Sequence, residues 1–148
     1  FIKDLISSAR FMTTSTYDAL VPLERELENV YHYLNILNKR HGDTIKLIVE
    51  DSLNALGVDV VPMSITSLVQ NAAKHNAFSR ENPLEIRISY DEDYIAVENR
   101  IAKRFGDIYG TGTGLDMLKR QYESFSEKPV IVINDGEKFL VKIPALIY

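Results

Sequence analysis

Three glycines at alternate positions lead into a predicted helix in the last third of the chain. The segment is Gly110-Thr111-Gly112-Thr113-Gly114-Leu115. Glycine lets the backbone turn tightly and approach a ligand closely, and exposed amides at the start of a helix form an anion site. The P-loop is excluded because no Gly-Lys-Ser/Thr closes the motif, and the dinucleotide fingerprint is excluded because its spacing differs. The segment therefore predicts either a phosphate site or a flexible connector.

A second polar segment lies on a predicted helix over residues 64–77. Asn71, Lys74 and His75 stand at positions i, i+3 and i+4, so they share one face of that helix. An amide oxygen can bind Mg²⁺, which prefers oxygen ligands, and a lysine can balance phosphate charge. The alternative is an ordinary solvated face near the end of a helix.

Asn99 ends a predicted strand over residues 94–99. Its amide can accept a hydrogen bond from the exocyclic amine of a base and donate one to a ring nitrogen. An asparagine that begins a turn is the alternative. Other catalytic sites find no support, because His32, His41 and His75 lack metal-ligand spacing and no Gly-x-Ser-x-Gly segment occurs.

Apolar periodicity predicts the elements that must position these side chains. Helices are expected over 1–13, 22–41, 64–77 and 115–125, and strands over 45–50, 58–61, 84–90, 94–99, 130–133 and 139–143. Tight turns at 91–93 and 134–136 imply antiparallel hairpins. We therefore predict an α/β fold of the α+β kind, a two-layer sandwich in which helices cover one face of a mixed, largely antiparallel sheet.

The composition restricts the classes of function. With 45% hydrophobic and 26% charged residues in 148 positions, the chain can bury the core of one domain. A net charge of −4 argues against a nucleic-acid partner, and the lack of cysteine excludes disulfides and thiol chemistry. No apolar run approaches the ~18 residues of a membrane helix. The chain begins without Met and with charged residues, so we expect no signal peptide and interpret it as a fragment of a longer protein.

Eight segments of the chain follow one another in a characteristic order. They are Val21-Pro22-Leu23-Glu24-Arg25-Glu26-Leu27-Glu28, Tyr33-Leu34, Arg40-His41-Gly42-Asp43, Val61-Pro62, Leu68-Val69-Gln70-Asn71-Ala72-Ala73-Lys74-His75, Val97-Glu98-Asn99, Gly110 to Leu115 and Phe139-Leu140-Val141-Lys142-Ile143-Pro144. This order resembles the GHKL ATP-binding domain and, more narrowly, that of the LytS/YehU-type sensor histidine kinases. The resemblance covers nearly the whole chain.

The resemblance implies a role for each polar segment. Asn71 is the metal-ligating asparagine, Lys74 and His75 contact phosphate, and Asn99 replaces the aspartate that reads adenine. Residues 100–109 form a nucleotide lid. Gln70 occupies the catalytic position, where the family has glutamate. The implied nucleotide-binding residues are Asn71, Lys74, His75, Asn99, Gly110, Thr111, Gly112, Thr113, Gly114 and Leu115.

The chain departs from the family pattern in several places. Gln70 has no basic carboxylate, which a general base needs. The glycines expected after Asn99 are replaced by 100–102, and Met117 and Gln121 replace an expected asparagine and arginine. The phosphoacceptor motif His-Phe-Leu-Phe-Asn is absent, and we expect it upstream of this chain.

The resemblance implies that residues 17–148 are the ATP-binding domain of a two-component sensor histidine kinase. Residues 1–16 would end the dimerisation and phosphoacceptor region. ATP and Mg²⁺ are the implied cofactors, and the γ-phosphate would pass to an upstream histidine. The implied partners are a response regulator and, in the full-length protein, a second copy of the chain. The domain would be cytoplasmic in a bacterial protein, with any membrane anchor in missing N-terminal segments.

Two other functions compete with this interpretation. The first is a degenerate, non-catalytic GHKL-like module for dimerisation or docking, which Gln70, Met117 and Gln121 favour. The second is an ATPase like gyrase or MutL. It is disfavoured because those domains use a carboxylate base near the metal asparagine.

Overall fold

The computed structural model describes residues 20–76, 78–102 and 113–146. The helices in these ranges are α1 (Leu23–His41), α2 (Ser64–His75) and α3 (Thr113–Glu123), with a short 3₁₀ helix at Asp51–Ala55. The strands are β1 (Val21–Pro22), β2 (Ile45–Val49), β3 (Asp59–Val60), β4 (Leu84–Asp91), β5 (Tyr94–Arg100), β6 (Ile131–Asn134) and β7 (Lys138–Pro144).

Five of the strands form one mixed sheet in the order β2-β4-β5-β7-β6. The hairpins β4–β5 and β6–β7 are antiparallel, as is the β5–β7 pair, whereas β2 runs parallel to β4. The parallel pair needs a long connection, which contains α2. β1 and β3 form a separate antiparallel pair of two residues each. The predicted mixed, largely antiparallel sheet is confirmed.

Helix α1 begins and ends where the sequence predicts. Pro22 precedes its first residue with φ −58°, and the fixed φ of proline suits the entry to a helix. Gly42 follows its last residue with φ +78°, a conformation that favours glycine over residues with a Cβ. The hydrophobic stripe of α1 packs into the core, and α1 also contacts α2.

The core lies between the helices and one face of the sheet. Alternate residues of β4, β5 and β7 point into it and are buried, and in β4 the intervening Glu85 and Arg87 are exposed. The core residues of these strands are Leu84, Ile86, Ile88, Ile95, Val97, Phe139, Val141 and Ile143, and helical residues opposite them include Val30, Ile65, Val69 and Tyr122. The predicted two-layer sandwich with helices on one face is confirmed.

Some elements differ from the sequence prediction. β1 and the 3₁₀ helix were not predicted, because two to five residues carry too little periodicity to separate a strand or a turn from a loop. The predicted helix over 1–13 and most of the predicted lid lie outside the described residues. Within the described ranges, no helix combines the length and the apolar character needed to cross a bilayer.

Candidate functional site

Helix α2, which carries the predicted metal ligand, starts on a buried carboxylate from α1. Glu26 is fully buried and accepts hydrogen bonds from the N–H of Met63 at 3.0 Å and the N–H of Thr66 at 2.9 Å. The Thr66 hydroxyl donates a third bond to it at 3.0 Å. The unpaired amides and the positive end of a helix stabilise such a carboxylate. Glu26 thus caps α2 from a neighbouring helix.

A tyrosine from α3 contacts the same end of α2. The Tyr122 hydroxyl accepts the N–H of Val61 at 3.1 Å and lies 3.1 Å from the Ser64 hydroxyl. Burial raises the pKa of Tyr122 to about 12, against the lowering effect of its bonds with Ser64 and Val61. Helices α1 and α3 together therefore fix where α2 begins.

Neither Glu26 nor Tyr122 was predicted as part of the site. The sequence does contain a signal for Glu26, because Leu23, Glu26, Leu27 and Val30 share one helical stripe and the other three are buried. A carboxylate on a buried stripe needs partners from elsewhere in the fold. Nothing in the sequence indicates which amides those partners are.

The predicted polar face of α2 mixes exposed and half-buried side chains. Asn71 and His75 are half-buried, whereas Gln70 and Lys74 are exposed. Leu68, Val69 and Ala72 of the same helix are buried in the core. Helix α2 is therefore amphipathic, as the sequence predicts. The amide of Asn71 and the imidazole of His75 lie close to the boundary of the core.

Asn99 lies on the sheet face that the helices cover. It follows Ile95 and Val97 at alternate positions, and it is buried with 6% of its surface exposed. Its Nδ2 donates to the carbonyl oxygen of Arg100 at 3.0 Å. This bond sets the orientation of the amide and directs Oδ1, an acceptor, away from that carbonyl.

Asn76 joins the end of α2 to the end of β5. Its side chain is fully buried, with Nδ2 donating to the carbonyl oxygen of Ala72 at 2.9 Å. Its Oδ1 accepts the N–H of Ala102 at 2.7 Å. The helix with Asn71 and the strand with Asn99 therefore meet at one end of the sheet. The sequence prediction gave Asn76 no role, because it placed this residue inside the helix over 64–77, whereas the structure ends that helix at His75.

The glycine-rich segment is described only in part. Gly110, Thr111 and Gly112 lie outside the described residues, and α3 begins at Thr113. Leu115 packs against the core, while Met117, 61% exposed, points outward on the same helix. The contribution of this segment to the site stays a prediction.

Other candidate sites find little support in the part of the chain that the structure describes. His32 is exposed, and the described residues contain no group of three or more His, Cys, Asp or Glu side chains that could hold a metal. An open cavity of about 460 Å³ lies beside Asp93 and Lys128, at the end of β5 opposite Asn99. There a hydrogen bond from Lys128 holds the pKa of Asp93 below its usual value. The cavity shares no residue with the predicted site.

Comparisons with known proteins identify a relative by sequence and similar solved structures. No family model matches the chain. The sensor protein LytS of Oceanobacillus iheyensis is 30% identical over 74 residues, which is 48% of this chain and 13% of that protein. The chain therefore spans a small part of this relative.

Two solved structures are similar over most of the chain. The Acinetobacter baumannii histidine kinase AdeS matches with a TM-score of 0.52 and 14% identity, covering 96% of this chain and 77% of that chain. The histidine kinase domain of the Escherichia coli osmosensor EnvZ matches with a TM-score of 0.47 and 15% identity, over 87% of this chain and 88% of that chain. Sequence identity this low supports a shared fold only. The order of the strands in the sheet and the placement of the helices describe that fold independently of the comparison. The chain shares its fold with the AdeS structure.

Proposed function

We propose that this chain is the ATP-binding domain of a two-component sensor histidine kinase, which passes the γ-phosphate of ATP to a histidine outside the chain. The observation that carries the proposal is the junction between α2 and β5. There Asn76, which follows α2, bonds the backbone just beyond β5, and Asn99 of β5 is buried on the helix-covered face of the sheet. Two separated polar segments thereby border one region, as a nucleotide site with a metal end and a base end requires.

The residues of α2 suit the metal and phosphate end of such a site. Asn71 offers a neutral oxygen at the half-buried boundary of the helix, a ligand type that Mg²⁺ accepts beside water and phosphate oxygens. Lys74 is exposed and can reach phosphate as a point charge. His75, one residue on, lies on the same face. The amides from Gly110 to Leu115 are proposed to hold the phosphates.

The chemistry relies on positioning rather than on a protein base. Bound Mg²⁺ would neutralise charge on the β- and γ-phosphates. The chain's own residues would hold the γ-phosphate in line with the incoming imidazole and exclude water around it. Gln70 is exposed on α2 and can orient a group by hydrogen bonding, but it cannot take up a proton. An imidazole nucleophile carries its own lone pair, so this transfer needs no carboxylate base at position 70.

The remaining proposals concern the whole protein. Residues 17–148 are proposed as the ATP-binding domain, and residues 1–16 as the end of the dimerisation and phosphoacceptor region. The full-length protein is proposed to form a homodimer and to transfer its phosphate to a response regulator. The domain is proposed to lie in the cytoplasm of a bacterium, with any anchor in N-terminal segments outside the chain. The similarity to the sensor protein LytS over 74 residues supports the assignment to a sensor protein.

Calorimetric titration of Mg²⁺·ATP tests the proposal. Wild-type chain should bind, and Asn71→Ala should raise the Kd by about tenfold or more, since a lost ligand or charged hydrogen bond is worth at least ~1.4 kcal/mol. Asn35→Ala is the matched control, because Asn35 is an exposed asparagine of α1. No binding of wild type at millimolar ATP would favour the non-catalytic module instead. Binding that Asn71→Ala leaves unchanged would overturn the site assignment.

A longer protein that includes the upstream segment tests turnover. Incubation with radiolabelled ATP should give acid-labile, base-stable phosphohistidine. Asn71→Ala should abolish the label, and Asn35→Ala should keep it. A protein that binds ATP but forms no phosphohistidine would overturn the kinase assignment while keeping nucleotide binding.

A further inference from the structure

We infer that Asn76 is a positioning residue, which sets the place of Asn99 relative to the helix that carries Asn71. The inference rests on the proposed function, because it assigns Asn76 to the same nucleotide site. It does not place Asn76 in contact with the nucleotide. Its role is to fix the distance between the two ends of that site.

The geometry makes Asn76 a two-sided connector. The backbone leaves the helical conformation at this residue, with φ −115° and ψ 145°, so its side chain can point back toward the last turn of α2. Nδ2 bonds the carbonyl of Ala72 within α2, and Oδ1 bonds the N–H of Ala102 beyond β5. One rigid, planar amide thus spans two elements with opposite hydrogen-bonding groups.

The segment after Asn99 is held on both sides. On one side the Ile101 N–H donates to the carbonyl of Glu137 at 2.8 Å, which continues the pairing of β5 with β7. On the other side the Ala102 N–H donates to Asn76. Sheet pairing alone would orient the strand end with respect to β7 only. Asn76 adds the link to α2, and therefore to Asn71.

The same kind of connection occurs elsewhere and provides a control. Asn38 in α1 donates through Nδ2 to the carbonyl of Ile45 at 3.1 Å, and its Oδ1 accepts the N–H groups of Thr44 and Ile45 at 3.3 and 3.2 Å. This amide joins a helix to the edge strand β2. It makes no hydrogen bond to α2 or β5, so its loss should weaken the fold without changing the spacing of the proposed site.

Hydrogen exchange in the nucleotide-free protein tests the connection itself. Ala102 is an exposed residue beyond the end of β5, so its amide would exchange freely if Asn76 did not accept its hydrogen. We expect protection of this amide in wild type. Asn76→Ala should speed its exchange by about tenfold or more, whereas Asn38→Ala should leave it within about twofold. An unprotected Ala102 amide in wild type would overturn the inference even if no variant folds.

Nucleotide affinity tests the consequence for the site. If wild type binds Mg²⁺·ATP, Asn76→Ala should raise the Kd for ATP by about tenfold. It should also lower the preference for ATP over GTP, because Asn99, the proposed contact of the base, would shift relative to Asn71. Asn38→Ala should leave that preference unchanged. Asn76→Asp keeps an acceptor for Ala102 and should restore its protection and part of the preference, which a general loss of stability would not do.

The outcomes separate the two proposals. A wild-type chain that does not bind ATP removes the proposed function, and this role of Asn76 with it. A wild-type chain that binds ATP, together with an Asn76→Ala variant of equal affinity and equal base preference, overturns the inference alone.

Discussion

The phenol of Tyr122 is fully buried, yet its oxygen keeps two hydrogen-bond partners at the start of α2. A buried hydroxyl without partners would cost free energy, and so would the buried N–H of Val61. The Tyr122 hydroxyl and the Val61 N–H form a hydrogen bond with each other, although the two residues are 61 positions apart in the sequence. Such a pair cannot be predicted from local periodicity, which predicted only a helix over residues 115–125.

Tyr122 should make the stability of the protein sensitive to alkaline pH. Its pKa is raised from 10.0 to about 12 in the folded protein, so the folded state favours the neutral phenol. The resulting stabilisation is complete below pH ~10 and is lost as pH rises towards 12, about 3 kcal/mol in all. Urea unfolding from pH 8 to 11.5 should show this loss in wild type.

Tyr122→Phe isolates the effect. The variant should be less stable by about 1–2 kcal/mol at pH 8, since Val61 loses its acceptor. The difference from wild type should shrink as pH rises, because the variant has no phenol to ionise at this position. Tyr31→Phe, at an exposed position of α1, should follow wild type throughout. A difference that stays constant with pH would contradict the assignment.

At the scale of elements, α2 depends on residues outside itself for its start. Its N-cap, Met63, has a left-handed φ of +66° and makes no side-chain cap, an unfavourable start for a helix. Glu26 compensates by accepting the amides of Met63 and Thr66. Propensity predicted the existence of α2 correctly, but its exact start is set by tertiary contacts that propensity does not contain.

Removal of the Glu26 carboxylate should therefore destabilise the protein through α2. Glu26→Ala leaves two amides and the Thr66 hydroxyl without their acceptor, and we expect a loss of about 3–5 kcal/mol. Glu26→Gln keeps one acceptor oxygen and should lose roughly half as much. Glu28→Ala, an exposed glutamate of the same helix, should change the stability by less than about 0.5 kcal/mol. Urea unfolding monitored by circular dichroism measures all three, and equal effects of Glu26→Ala and Glu28→Ala would contradict the role of the cap.

The whole molecule shows which parts of a fold can be predicted from one sequence. Alternation of apolar and polar residues in 84–90 and 94–99 predicted a hairpin, and residues 84–88 of β4 alternate between buried and exposed as expected. The parallel pairing of β2 with β4 has no such local mark, since its strands are far apart in sequence. The candidate site shows the same contrast between local patterns and contacts between distant residues. Asn71 and Asn99 were predicted by residue type and position, whereas Asn76, which brings their elements together, was not.

The boundary of the folding unit is a property of the whole molecule, and it can be tested by deletion. The proposed boundary lies between residues 16 and 17, where the dimerisation and phosphoacceptor region would end and the ATP-binding domain would begin. We therefore expect that removal of residues 1–16 changes the free energy of unfolding by less than about 0.5 kcal/mol and leaves one cooperative transition. As the positive control, Ile86→Ala in the centre of β4, where the side chain is fully buried, should cost about 2–5 kcal/mol. A deletion as costly as Ile86→Ala would mean that residues 1–16 belong to the same folding unit as the sheet, and the proposed boundary before residue 17 would be wrong.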